Sequence, residues 1–258
     1  LTVKARRSEI SIIILVLTQT SGEIEAIMGT IAAALQAVRG RINAACAEVG
    51  RDPRSVKLLA VSKTFPAMAI REAWAAGQRA FGESYVQEAL AKQAQLSDLP
   101  IEWHYIGPLQ RNKTRPVAEH FAWVHGIDRA DIAERLARQR PASLPPLQVC
   151  VQVNVGGEAS KRGVAPADAL PLARRVAELP RLTLRGFMTI PPPSADFQTQ
   201  RAHFRALAEV LQAAHAAGLE LDCLSMGMSQ DLEAAIAEGA TIVRVGTAIF
   251  GARAPADE

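Results

Sequence analysis

The stretch Val56-Lys57-Leu58-Leu59-Ala60-Val61, followed by Ser62-Lys63-Thr64-Phe65-Pro66, decides the fold. Its first six residues read as a buried strand, a short aliphatic run closed by turn formers. The five that follow lack the glycines with which a doubly wound sheet opens its dinucleotide-binding turn. Similar runs recur at 79–82, 102–106, 123–127, 147–154, 182–188, 222–225 and 241–245. Segments of helical character separate them at 67–77, 85–95, 128–139, 166–179, 198–217 and 230–238. Strand–helix units in series require a parallel sheet, because a crossover helix returns each strand in the same direction. Eight such strands close into a barrel, for which ~250 residues is the usual size. The expected architecture is a single (β/α)8 TIM barrel over 28–254. An extra helix precedes it, since apolar residues at 24, 28, 31, 35, 38, 42, 45 and 49 draw one stripe ending at Gly50.

Composition narrows the function. Of 258 residues, 49% are hydrophobic and 21% charged, as expected of a globular chain. A net charge of +3, with no basic stretch interleaved with aromatics, argues against nucleic-acid binding. Cys46, Cys150 and Cys223 are too scattered for a disulfide framework or a CxxC metal site, and no HExxH pair is present. The apolar run Ser11-Ile12-Ile13-Ile14-Leu15-Val16-Leu17-Thr18 is far shorter than the ~20 residues of a membrane helix. Lys4, Arg6 and Arg7 precede it, but Glu9 interrupts them and no signal-peptidase pattern follows. Residues 1–27 are left as an unassigned extension and 255–258 as a tail. These exclusions leave a cytoplasmic α/β protein acting on a small molecule, without nucleic-acid or membrane partners.

In such a barrel, chemistry collects at the C-terminal strand ends. Lys63 stands at the end of the first strand. There it is either a solvated surface lysine or an amine whose pKa is lowered by desolvation, able to form a Schiff base with an aldehyde. Gly227, Ser229, Gly246 and Thr247 occupy the loops after strands seven and eight, where barrels frequently hold phosphate. These read either as ordinary glycine turns with a serine cap or as an anion cradle lying across from Lys63. Arg244 interrupts the apolar run Ile242-Val243-Arg244-Val245 and needs a partner, either a structural carboxylate or a ligand acceptor. An aldehyde on Lys63, a phosphate on the loops and a pyridine nitrogen facing Arg244 together describe pyridoxal 5′-phosphate (PLP).

At these positions the sequence resembles the pyridoxal phosphate homeostasis protein family, whose barrel is similar to the N-terminal domain of alanine racemase. The stretches that carry the resemblance are LLAVSKTFP (58–66), FGESYVQEAL (81–90), EWHYIGPLQRNK (102–113), LRGFMTIPPP (184–193), LSMGMSQDLEAAIAEGA (224–240) and VRVGTAIFGAR (243–253). The resemblance implies that Lys63 carries the Schiff base, that Ser229, Gly246 and Thr247 hold the phosphate, and that Arg244 approaches the pyridine nitrogen. Ser84 departs from it, since the family usually has Asn there.

The arginine bears on activity. PLP is strongest as an electron sink when its ring nitrogen is protonated, and a guanidinium, which only donates, disfavours that proton. Racemases with such an arginine add a second acid/base, typically a tyrosine from a further domain. Here the tyrosines are Tyr85 and Tyr105, and the sequence places no further domain after strand eight. The expectation is a monomeric carrier that buffers PLP or delivers it to PLP-requiring apo-enzymes. A PLP-dependent amino-acid racemase is the alternative, and a barrel for another phosphorylated metabolite is a third reading.

Overall fold

The computed structural model describes residues 30–158 and 161–252. The extension 1–27, the start of the barrel at 28, the first turn of the expected leading helix and the 255–258 tail lie outside them. The leading helix (α1) occupies 30–48, with Ile31, Leu35, Val38, Ile42 and Ala45 buried along the stripe that the spacing draws. Eight strands follow: β1 (Lys57–Val61), β2 (Ala80–Glu83), β3 (Glu102–Tyr105), β4 (Trp123–Ile127), β5 (Leu147–Gln152), β6 (Leu182–Met188), β7 (Cys223–Ser225) and β8 (Ile242–Val245). They pair in chain order as a closed barrel, and β8 returns to β1 in parallel, Leu59 beside Arg244 and Ala60 beside Val245.

The helices between the strands are α2 (Ala67–Ala75), α3 (Val86–Gln95), α4 (Thr114–His120), α5 (Ala130–Gln139), α6 (Pro166–Ala177), α7 (Phe197–Ala216) and α8 (Leu232–Ala237), with α9 (Thr247–Phe250) after β8. Each turns an apolar face to the barrel wall. On α7, for example, Phe204, Leu207 and Ala214 are fully buried. Two of these helices lie outside the segments expected from sequence. In α4 the apolar period is short and Pro116 sits in its first turn, where a missing N–H is tolerated. In α9 four residues are too few to show a period.

Strand alternation sorts the side chains into two cores. Leu59, Ala80, Trp123, Cys150, Met188, Cys223 and Ile242 fill the lumen. Their neighbours along each strand, such as Leu58, Ala60 and Phe81, join the larger core between wall and helices. A filled lumen closes the barrel as a passage, which leaves the C-terminal rim for a ligand. No described helix is long and apolar enough to cross a membrane.

Candidate functional site

Lys63 leaves β1 on the lumen side. Leu59 lies in the lumen cluster, and Val61 and Lys63 follow it at alternate positions. Ser62, between them, points the other way, its hydroxyl donating to Glu83 Oε1 at 2.7 Å behind the wall. Lys63 itself is half-buried. The turn that carries it is clamped from outside. Lys92 on α3 donates to the Ser62 carbonyl (2.7 Å), to Glu83 Oε1 (2.8 Å) and to Glu88 Oε1 (2.5 Å). The same Glu88 oxygen accepts from the backbone N–H of Thr64 at 2.5 Å. Thr64 has φ 69°, an uncommon value for a β-branched residue, and this clamp holds it there. Burial pushes the Glu83 carboxyl up, opposed by the Lys92 ammonium and the Ser62 hydroxyl.

The phosphate-loop residues stand beside Lys63 rather than across from it, because barrel closure makes β8 the direct neighbour of β1. A Cβ on Gly246 would lie 3.2 Å from the Val61 carbonyl, and Phe65 packs against Phe250 with ring centroids 5.2 Å apart and planes tilted by 31°. The two loops meet through side chains, Thr247 Oγ1 donating to Ser229 Oγ at 3.2 Å. Arg41 on α1 holds the Ser229 carbonyl at 2.9 Å, and Asp231 Oδ1 accepts from the Met228 N–H at 2.6 Å. Gly227 has a packing role that the sequence does not show. At φ 92° its missing Cβ would sit 2.6 Å from Ala235 Cβ, so glycine here lets the loop pack on α8. The helix itself begins at Leu232, two residues later than the sequence pattern suggests.

Arg244 is buried inside the barrel, and among the described residues no carboxylate lies within ion-pair distance of it. Instead its Nη1 donates to Ser225 Oγ (2.7 Å) and its Nη2 to the Thr189 carbonyl (2.8 Å). Burial pulls its pKa down to about 10, against the field of Asp231, and the guanidinium remains charged at neutral pH. At the rim nearby, Ile106, Pro108, Gln152, Lys161, Arg162 and Ile190 line a cavity of 210 Å³. Two wider depressions, of 390 and 420 Å³, involve Lys57 and Glu102 at the opposite end of the barrel, away from this chemistry.

Tyr105 follows the lumen-facing His104 and therefore points into the helix layer. It meets Phe121 edge-on and donates to the Pro108 carbonyl at 3.1 Å. Desolvation pushes its pKa up to about 12. Tyr85 is exposed at the N-terminus of α3. Ser84 is half-buried at the end of β2, its backbone against Gly107, where a Cβ would come within 2.3 Å of the Ser84 carbonyl oxygen.

Residues 34–254 match the family described as the alanine racemase N-terminal domain. A Pseudomonas aeruginosa protein named pyridoxal phosphate homeostasis protein is 62% identical over 226 residues, covering 88% of this chain and 97% of its own. The chain belongs to the pyridoxal phosphate homeostasis protein family. The relative of that name in Escherichia coli K12 is 53% identical, over 88% of this chain and 98% of its own. Among solved structures, PipY of Synechococcus elongatus with PLP bound is similar with a TM-score of 0.73 at 43% identity, covering 86% of this chain and 100% of that one. Alanine racemase of Corynebacterium glutamicum, with a TM-score of 0.66 at 18% identity, shares the fold; the match covers 87% of this chain and 62% of that one.

Two sets of polar residues, only partly within the motifs that carry the resemblance, were not among the candidates read from the sequence. One is the clamp of Glu83, Glu88 and Lys92. The other runs through the lumen beneath Arg244, by way of Ser225, His125 and His104. The available signal was alternation: His104, His125 and Ser225 occupy inward positions of their strands, two of which are otherwise apolar.

Proposed function

We propose that this protein holds PLP on Lys63 and serves intracellular PLP homeostasis, buffering the cofactor or delivering it to PLP-requiring apo-enzymes. We place it in the cytoplasm as a monomer with little or no turnover of its own. The observation that carries the reading is the seam between β8 and β1. There a lysine on a clamped turn, a pair of loop hydroxyls 3.2 Å apart and a buried arginine with no carboxylate at ion-pair distance among the described residues come together at the ends of neighbouring strands. That donor set fits the group: an amine for an aldehyde, hydroxyls for a phosphate, and a fixed donor for a ring nitrogen.

PLP, when bound, would supply an aldehyde as the covalent anchor for the Lys63 amine. The residues do the rest. Ser229, Thr247 and the Gly246 backbone take the phosphate, and Arg244 presents N–H donors to the ring nitrogen. A guanidinium cannot accept a proton from that nitrogen's conjugate acid, so it keeps the nitrogen unprotonated and the ring a poor electron sink. With Tyr105 directed into the helix layer, the lumen wall offers no phenol as a second acid/base, which supports a carrier over a racemase.

Lys63→Ala is expected to abolish the visible absorbance of the PLP-loaded protein and the adduct fixed by borohydride. Peptide mass analysis locates that adduct. An adduct on another residue overturns the lysine assignment, and a protein that takes up no PLP overturns the ligand. Robust racemisation of alanine or serine by the loaded protein overturns the carrier reading.

A further inference from the structure

The interior of the barrel holds a continuous chain of hydrogen bonds from the rim to the opposite end. Arg244 Nη1 meets Ser225 Oγ at 2.7 Å, and Ser225 Oγ meets His125 Nδ1 at 2.7 Å. His125 Nε2 meets His104 Nδ1 at 2.8 Å, and His104 Nε2 meets Glu102 Oε1 at 2.6 Å. Lys57 Nζ closes the chain on the same Glu102 oxygen at 2.8 Å. His104, His125 and Ser225 are fully buried, while Glu102 and Lys57 border the 390 Å³ cavity at the N-terminal end.

Hydrogen positions follow from the ends inward. A carboxylate only accepts, so His104 carries its proton on Nε2. Two rings without solvent, set between the Arg244 and Lys57 cations, are each neutral, with one donor and one acceptor nitrogen. His104 Nδ1 is then the acceptor, so His125 donates from Nε2 and accepts at Nδ1. Ser225 must supply that last proton from its hydroxyl, and its oxygen accepts from Arg244, which only donates. Every link points the same way, from the guanidinium to the carboxylate. The buried cation, which also lies in the field of Asp231, is thus linked to a carboxylate at the far side of the lumen through three neutral side chains.

We propose that Ser225, His125 and His104 are positioning residues that fix Arg244 and couple Glu102, at the opposite mouth, to the donor presented at the rim. The coupling toward a pyridine nitrogen rests on the PLP reading; the relay itself does not. The chain has one alternative direction, in which His125 carries its proton on Nδ1 and Ser225 accepts from both sides. That state needs a third proton on the histidine pair, making one ring an imidazolium, and places a third positive charge between Arg244 and Lys57.

Nitrogen-15 NMR of the histidine rings in the protein without PLP tests the relay alone. Expected at neutral pH are Nε2–H tautomers for both His104 and His125. A proton on Nδ1 of either ring overturns the proposed direction. Glu102→Gln replaces the terminal acceptor with a side chain that also donates, at a position that is partly exposed and tolerant. In this variant the ring shifts of His125 and the Arg244 side-chain nitrogen shifts are expected to change, though neither touches Glu102. Unchanged shifts overturn the coupling. In PLP-loaded samples, the nitrogen-15 shift of the pyridine is expected to move in both Glu102→Gln and Ser225→Ala, with the cofactor still on Lys63. A pyridine shift identical to the unsubstituted protein's overturns the coupling to the ligand. A protein that binds no PLP removes that last link and the functional reading together, while the NMR of the free protein still decides the relay.

Discussion

Two buried polar networks flank the candidate site, and they are built on opposite plans. Behind the wall under Lys63, formal charges touch: the Lys92 ammonium lies 2.8 Å from Glu83 and 2.5 Å from Glu88. In the lumen under Arg244, neutral side chains separate the charges, and the carboxylate that ends the chain stands four hydrogen bonds from the arginine. The first network grips backbone, the Ser62 carbonyl and the Thr64 N–H, and so shapes a turn. The second grips one side chain and so sets a direction. A contact cluster fails when one member is removed, because a bare charge is left behind. A relay of neutral links fails more gently but responds to protons along its whole length.

The largest expected effect tests the contact cluster. Lys92→Met leaves the fully buried Glu83 carboxyl with the Ser62 hydroxyl, and its Oε2 already has no hydrogen-bond partner among the described residues. Breaking a buried pair from one side costs about 3–5 kcal/mol. Urea unfolding should show that loss, and Lys92→Met combined with Glu83→Gln should recover a large part of it. A loss below about 1 kcal/mol would place the pair with ordinary surface ion pairs and end the contrast.

The next effect separates the networks by pH. Desolvation holds the pKa of His104 below its ordinary value and that of His125 well below it. On acidification the unfolded chain takes up these protons near pH 6.5 while the folded chain does not. Stability therefore falls as pH drops below about 6.5, by up to ~2.7 kcal/mol per pH unit for two such groups. Glu102, held down to about 2 chiefly by its hydrogen bond to His104, adds a further loss as pH falls from 4.5 toward 2. Glu83 works in the other direction, since a raised carboxyl pKa favours the folded state as protons bind. His125→Gln should remove about half of the slope between pH 5 and 6.5 in urea titrations. An unchanged slope would mean that the lumen histidines do not titrate on unfolding as neutral buried rings must.

Much of this was legible in the sequence, and the remainder was hidden for physical reasons. Eight apolar runs bounded by turn residues gave eight strands, each overlapping its observed position, because burial on both faces leaves a continuous apolar signature. Lys63, Arg244, Ser229 and Thr247 were singled out as candidates by asking what stands at strand ends. Their grouping was partly misjudged, as a linear reading does not show that β8 closes on β1. The relay draws on β3, β4, β7 and β8, and its members are neighbours only after closure. Lys92 reads as half of an exposed i,i+4 pair with Glu88, yet it is 5% exposed. Local spacing carries no information on which face of α3 the wall covers.

A smaller effect distinguishes packing from ligand approach at the loop after β7. Gly227→Ala places a methyl 2.6 Å from Ala235 Cβ at a φ of 92°, and about 1–3 kcal/mol of stability should be lost in the absence of any ligand. Thermal melts of the protein without PLP would show it. Full stability with weakened PLP binding would instead return Gly227 to the anion cradle.

The smallest effect, at the exposed end of the relay, is the sharpest test of the comparison. Lys57 and Glu102 form an ion pair at 2.8 Å, the same length as Lys92 with Glu83. Distance alone would rank the two equally. Their surroundings differ, since the Lys57 and Glu102 side chains are 43% and 37% exposed against 6% and 0% for the wall pair. After Lys57→Met, water replaces the ammonium and the Glu102 carboxylate keeps its hydrogen bond from His104, so no buried charge is stranded. The loss in urea unfolding should be about 0–1 kcal/mol, with the tautomers of His104 and His125 unchanged. A loss above about 2 kcal/mol would show that Lys57 is integral to a charge cluster reaching into the lumen. The two networks would then be variants of one plan, and the neutral links would not insulate Arg244 from the far end of the barrel.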